Sequence, residues 1–242
     1  IMSGHSKWNN IKHKKEKTDS QRARVFTKIG REIAIAVKEG GADPNVNSKL
    51  RDVVAKAKAN NMPNDNISRS IAKASGELGN VSYEEIVYEG YGNGGVALMV
   101  ETLTDNRNRT ASDVRHLFDK FGNGLGTTGC VSYMFSHQGV IAIEKKEDMD
   151  EDEVMMAALD AGAENFEATE EEFIVYTDIA SFSQVREKLE EGGYTFTSAE
   201  LEWVPQTMVS VAGADADKLD KLVENLEDLD DVQNVFHNGE ME

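Results

Sequence analysis

Apolar side chains at Phe26, Ile29, Ile33, Ala36 and Val37 recur at the spacing of one buried helical stripe. They predict a helix from Thr18 or Asp19 to Lys38. Wound at about 100° per residue, Arg24, Lys28, Arg31 and Lys38 fall on the opposite side. Gly40-Gly41 stops this helix, and Asp43-Pro44 turns the chain. Residues 47–60 predict a second helix with Leu50, Val53, Val54 and Ala57 inward. A third starts near Pro63, since proline is tolerated in a first turn, and ends at Gly76. It turns Ile67, Ile71 and Ala74 inward. Three short amphipathic helices with short links predict a small helical domain.

After Gly76 the period becomes mixed. Residues 83–91 and 96–103 read as strands joined through Gly92-Asn93-Gly94-Gly95, glycines that permit the positive φ of a tight hairpin. Residues 107–121 read as a helix with Val114, Leu117, Phe118 and Phe121 inward, and 131–135 as a strand. Then come a strand at 140–144, a helix at 150–161, paired strands at 166–169 and 173–177, a helix at 182–191 and a strand at 195–203. The chain closes with a strand at 207–212, a helix at 215–229 and a strand at 232–237.

Residues 139–204 thus spell βαββαβ, the ferredoxin-like pattern. The pieces before and after each spell βαβ, and a lone βαβ of that size could hardly bury its sheet. The expected fold is α+β: an N-terminal three-helix domain followed by two ferredoxin-like α/β domains, one inserted into the other. The expected boundaries are 1–77 for a basic helical domain, 78–137 plus 205–242 for a discontinuous domain, and 138–204 for an inserted acidic one.

Charge changes the picture. The formal net charge is -18, yet nine of the first 31 residues are Lys or Arg, opposed by Glu16 and Asp19. Residues 1–75 hold 16 basic and 7 acidic side chains; residues 136–242 hold 6 and 29. An acidic body repels phosphate, so nucleic-acid contact is expected from the first third. A solvated charged face is the bland alternative. The candidate contacts are Lys7, Trp8, Lys12, His13, Lys14, Lys15, Arg22, Arg24, Lys28 and Arg31. Trp8 could stack on an exposed base while lysines track phosphates, or it could dock the tail with Ile11 onto the helical domain. No run approaches the ~20 apolar residues of a membrane span, and the polar, basic start is not an apolar signal segment. Ile1 ahead of Met2 is set aside as extraneous. One cysteine, Cys130, fits a reducing, cytoplasmic setting and is most simply a small buried hydrophobe.

Little else carries chemistry. His5 and His13 lack further ligands at metal spacing, so neither metal nor cofactor is expected. The glycines at 90–95 precede a strand rather than a helix, which favours a structural hairpin over a phosphate loop. In Thr104-Asp105-Asn106-Arg107-Asn108-Arg109-Thr110, Asp105, Asn106 or Asn108 can cap a helix, while Arg107 and Arg109 make a candidate anion site. Gly122–Gly129 reads either as a flexible recognition loop or as a helix stop and strand entry. The acidic groups at 147–153 and 170–172 complement a helix start and crown a hairpin. No nucleophile motif is present, so no enzyme is expected. A second class remains open: a protein-interaction module whose acidic domains recruit a basic partner.

Gly4-His5-Ser6-Lys7-Trp8, Ile11-Lys12-His13, Phe26-Thr27-Lys28, Arg31-Glu32-Ile33, Asn61-Met62-Pro63, Tyr88-Glu89-Gly90-Tyr91-Gly92, residues 103–110 and Gly126-Thr127 resemble the YebC/PmpR family across essentially the whole chain. Glu16 in the basic run and Cys130 in place of serine depart from its pattern. The resemblance implies a cytoplasmic, three-domain, non-enzymatic protein. It implies a DNA-binding transcriptional regulator or, as for related members that include a mitochondrial translational activator, a factor acting on translation at the ribosome. Residues 47–75 show no convincing helix-turn-helix, because Arg69 and Lys73 are the only long base-reading side chains on the second helix. Phosphate and exposed-base contact, as on structured RNA, fits the Trp8-lysine tail better.

Overall fold

The computed structural model describes residues 18–76 and 81–242. Lys7, Trp8, Lys12, His13, Lys14 and Lys15 lie outside the described residues. Helix α1 (Asp19–Gly40) opens on a reciprocal capping box: Thr18 accepts from the Gln21 amide, and the Gln21 side chain accepts from the Thr18 amide. Helices α2 (Ser48–Ala59) and α3 (Asn64–Ser75) pack on α1. Ile29, Ile33, Ala36, Leu50, Ala57 and Ile67 form their shared core. Burying side chains of this kind contributes about 1.5–3 kcal/mol for each large one. The buried Asn47 side chain accepts from Leu50 N–H and donates to the Ala36 and Gly41 carbonyls. One residue therefore closes α1 and opens α2.

The chain divides into two compact units. One is Ser136–Val204; the other takes the described residues of Glu16–Phe135 and Pro205–Glu242. In the latter, β1 (Glu84–Tyr91), β2 (Ala97–Thr104) and β8 (Val232–His237) form an antiparallel sheet in that order. Helices α4 (Arg107–Phe121) and α7 (Gly213–Glu227) pack against it and each other. The β1–β2 hairpin turns through Gly94 (φ 75°) and Gly95 (φ 82°), a backbone region that L side chains avoid. A short parallel pair, β7 (Val209–Val211) with β9 (Gly239–Met241), closes the unit. The Gln206 amide donates to the Met134 carbonyl at 3.0 Å, so the chain leaves this unit and returns to it at one point. That is the geometry of an inserted domain.

The strand expected at 131–135 is not formed. Ser132–Met134 is a 3-10 turn, and β3 runs from Phe135 to Glu144. The cause is Glu89 on β1. Its buried carboxylate accepts from the amides of Gly129 (2.7 Å), Val131 (3.2 Å) and Ser132 (2.7 Å). Those donors are then unavailable to a sheet ladder. The same bonds pin the glycine-rich turn that precedes them, together with Gly126 N–H on the Glu89 carbonyl at 2.8 Å. Cys130 is half-buried rather than buried. Strand β9 had no counterpart in the periodicity.

In the unit Ser136–Val204, β3, α5 (Glu151–Ala161), β4 (Asn165–Ala168), β5 (Glu172–Thr177), α6 (Phe182–Glu191) and β6 (Phe196–Pro205) follow in the order expected. The sheet order β4-β5-β3-β6 is ferredoxin-like. Ile141, Ile143, Phe173 and Val175 meet Val154, Ala158, Val185 and Leu189 of the helices. Val140, Ala142, Ile174 and Tyr176 alternate with them and cluster separately. Apolar positions on both faces explain why β3 and β5 read as near-continuous apolar runs. Glu144 and Lys145 end β3, and a left-handed Gly162 ends α5.

Candidate nucleic-acid interface

Four of the basic residues expected to meet a polyanion, Arg22, Arg24, Lys28 and Arg31, lie on the described part of α1. Arg22 is exposed, with Asp19 at 3.5 Å as an exposed neighbour. The other three face protein. Arg24 pairs with Asp228 at 2.7 Å. Lys28 Nζ donates to the Glu227 carbonyl at 2.5 Å. Arg31 donates to Asp231 and to the Leu103 carbonyl, both at 2.8 Å, and its guanidinium lies 5.1 Å from the Tyr83 ring centre.

The partners of these cations share a cause. Helix α7 ends in Glu224, Glu227 and Asp228 with no basic residue in its last turn, and Asp230 and Asp231 follow. Carboxylates at a helix C-terminus oppose the macrodipole, whose negative end lies there. Cations from α1 supply what the local sequence lacks. Lys28 on the Glu227 carbonyl also serves one of the last unpaired carbonyls of α7.

Asp231 is the hub. Its side chain is 8% exposed. It accepts from Arg31 Nη1 (2.8 Å), Arg109 Nη2 (2.8 Å), Arg109 Nε (3.0 Å) and Thr110 Oγ1 (2.8 Å). Burial pushes its carboxyl pKa up, but the bonds from Arg109, Arg31 and Thr110 outweigh it and hold the group below the usual aspartate value.

The candidate anion pair is engaged in the same way. Arg109 also holds Asp105 at 2.7 Å, and its pKa rises because Asp231 and then Asp105 bond its protonated form. Arg107 pairs with Glu84 at 2.6 Å on the surface. Asn106 caps α4 by accepting from Arg109 N–H at 3.1 Å, the capping role weighed for it. Thr104 Oγ1 accepts from Asn106 N–H and bonds Thr110 Oγ1 at 2.7 Å. Residues 104–110 thus build a network that fixes Asp231.

Periodicity reads α1 as one buried stripe and one charged face, and misses that the charged face meets the turn after α7. The signal was present in the uncapped acidic run at 224–231. Elsewhere on the helical domain, α3 presents Arg69 and Lys73 at its exposed face. Among the described residues, no group of three or more His, Cys, Asp or Glu is placed to hold a metal ion, and no helix is long and apolar enough to cross a membrane.

Residues 6–77 match the family described as the TACO1/YebC protein N-terminal domain, and residues 83–239 the TACO1/YebC second and third domain. A protein of Acetivibrio thermocellus named "Probable transcriptional regulatory protein" is 63% identical over 238 residues, covering 98% of both chains. A protein of the same name from Clostridium tetani is 60% identical over 239 residues, covering 99% of this chain and 97% of its own. A crystal structure of a conserved hypothetical protein from Aquifex aeolicus superposes with a TM-score of 0.84 at 45% identity, over 96% of each chain.

Proposed function

This chain belongs to the TACO1/YebC family, and from that membership we propose that it is a non-enzymatic, nucleic-acid-binding regulator of gene expression. The name its relatives carry supports regulation. The observation that carries the binding reading is the segregation of charge, with nine basic residues in the first 31 of a chain of net charge -18. Arg24, Lys28 and Arg31 hold the acidic turn after α7. Lys7, Lys12, Lys14, Lys15, Lys17 and Arg22 are the cations assigned to phosphate, with Trp8 and His13 interleaved among them. A second reading follows from Trp8. An aromatic among lysines suits exposed bases, which structured RNA at a ribosome offers and duplex DNA does not.

Binding of the full-length protein across a salt series tests the reading. If about five phosphates of a single strand are neutralised, log affinity falls against log salt with a slope of about -3.5. Replacing Lys12, Lys14 and Lys15 by Ala weakens binding to all sequences alike and flattens the slope by about 2. An affinity indifferent to salt overturns the reading. Competition between duplex DNA and hairpin RNA decides between the two polymers.

A further inference from the structure

Helices α1 and α3, with Val81 and Tyr83, enclose a groove of about 480 Å³. This lies within the roughly 300–1,000 Å³ of small-ligand sites. Its lining is unlike the rest of the chain. Arg69 and Lys73 contribute two cations and Arg31 a third, already paired with Asp231, and no carboxylate is among the described residues that line the groove, in a protein where acids outnumber bases 44 to 26. Phe26 and Met62 supply apolar surface, and Tyr83 an aromatic edge. Arg31 is held in place by Asp231 and stacks near the Tyr83 ring, so that wall is fixed before any ligand arrives.

Gly30 adds an independent observation. It stands in the interior of α1 and lines the groove. Glycine there costs about 1 kcal/mol of helix stability relative to alanine. No backbone requirement explains it: its φ is not positive, and an added Cβ would have Ser70 Oγ at 4.0 Å as its nearest neighbour. A helix-weakening glycine with room for a side chain keeps the space in front of it empty.

We propose that this groove seats one unstacked base of a bound single strand, with the adjoining phosphate on Arg69 and Lys73. The apolar floor and the Tyr83–Arg31 wall suit a planar ring that every base possesses. The cations at the mouth suit the backbone. The inference rests on the nucleic-acid reading above and adds to it a preference for single strands carrying bases.

The test compares the intact protein and Gly30→Leu on oligothymidylate and on an abasic strand of the same length. The wild type should bind oligothymidylate about fivefold or more tighter than the abasic strand, since a stacked base is worth at least that much. Gly30→Leu should lose most of that preference while its affinity for the abasic strand holds. An unchanged preference overturns the groove. If Lys12, Lys14 and Lys15 changed to Ala still weaken both strands in that event, the broader reading survives. If those changes weaken neither strand, the broader reading falls as well. Should Gly30→Leu fail to fold, Lys73→Glu, at an exposed position of α3, replaces it. It should weaken oligothymidylate about tenfold, and an undiminished affinity overturns the proposal.

Discussion

Replacing Asp231 by Asn tests the hub on which α1, α4 and β8 converge. The substitution keeps the shape, removes the charge, and turns one acceptor oxygen into a donor facing a guanidinium or a hydroxyl. Breaking a buried ion pair by removing one partner costs about 3–5 kcal/mol. Here the cost is smaller. Arg109 is half-exposed and keeps Asp105, and Arg31 keeps the Leu103 carbonyl. A loss of about 2–3 kcal/mol is expected. Urea unfolding of the wild type, Asp231→Asn, Arg31→Gln and the double variant at pH 7 forms a cycle whose coupling energy should be about 1–2 kcal/mol. Hydrogen exchange should report faster opening of α1 in each variant. The acid limb supplies a second readout. Since the folded pKa of Asp231 is depressed, its contribution is complete above the ordinary value of 3.8 and fades as pH falls through the lower folded value. Asp231→Asn should lack that loss. A coupling energy under about 0.5 kcal/mol, with α1 exchange unchanged, would refute the hub.

Glu89→Gln should destabilise by about 1–3 kcal/mol and speed amide exchange at Gly129 and Ser132, because an amide cannot serve three N–H donors as a carboxylate does. Burial raises the Glu89 pKa, but bonds from Gly129, Val131 and Ser132 lower it further, so this contribution also fades in acid. His237 is buried, and burial pushes its pKa down to about 4. The unfolded chain takes up its proton from about pH 6.5 downward and the folded chain only near 4, so stability falls across that window. By pH 5 the loss is about 2 kcal/mol, measurable as a pH-dependent urea midpoint that His237→Gln flattens. Gly90→Ala would place its Cβ 2.6 Å from Phe118 Cε1 and 2.9 Å from the Gly124 carbonyl. A lowered melting temperature, equivalent to about 1–3 kcal/mol of overpacking, should follow.

The three helices and the βαββαβ unit were legible because their signals are local. Stripes at 3.6 spacing met one another, and Gly76 and the glycines at 92–95 punctuated the chain where the backbone turns. The segment 131–135 was not legible. Val131, Tyr133 and Phe135 would share one face of a strand, and there Val131 and Phe135 are inside while Tyr133 is 69% exposed. The backbone conformation is decided by a carboxylate some 40 residues upstream, which periodicity cannot register. On α1 the charge was legible and its protein partner was not. A charged face opposite a buried stripe reads as solvent in a lone helix, but α1 faces a helix C-terminus loaded with carboxylates. Three of the nine leading cations satisfy that terminus, which leaves six from this stretch for phosphate. The consequence is quantitative. On duplex DNA the first 31 residues support a salt slope no steeper than about -5.4. Arg69 and Lys73 of α3 extend that limit to about -7.2, and a slope steeper still would mean that phosphate displaces the acidic turn from α1, so that exchange of the α1 amides would quicken on binding instead of slowing.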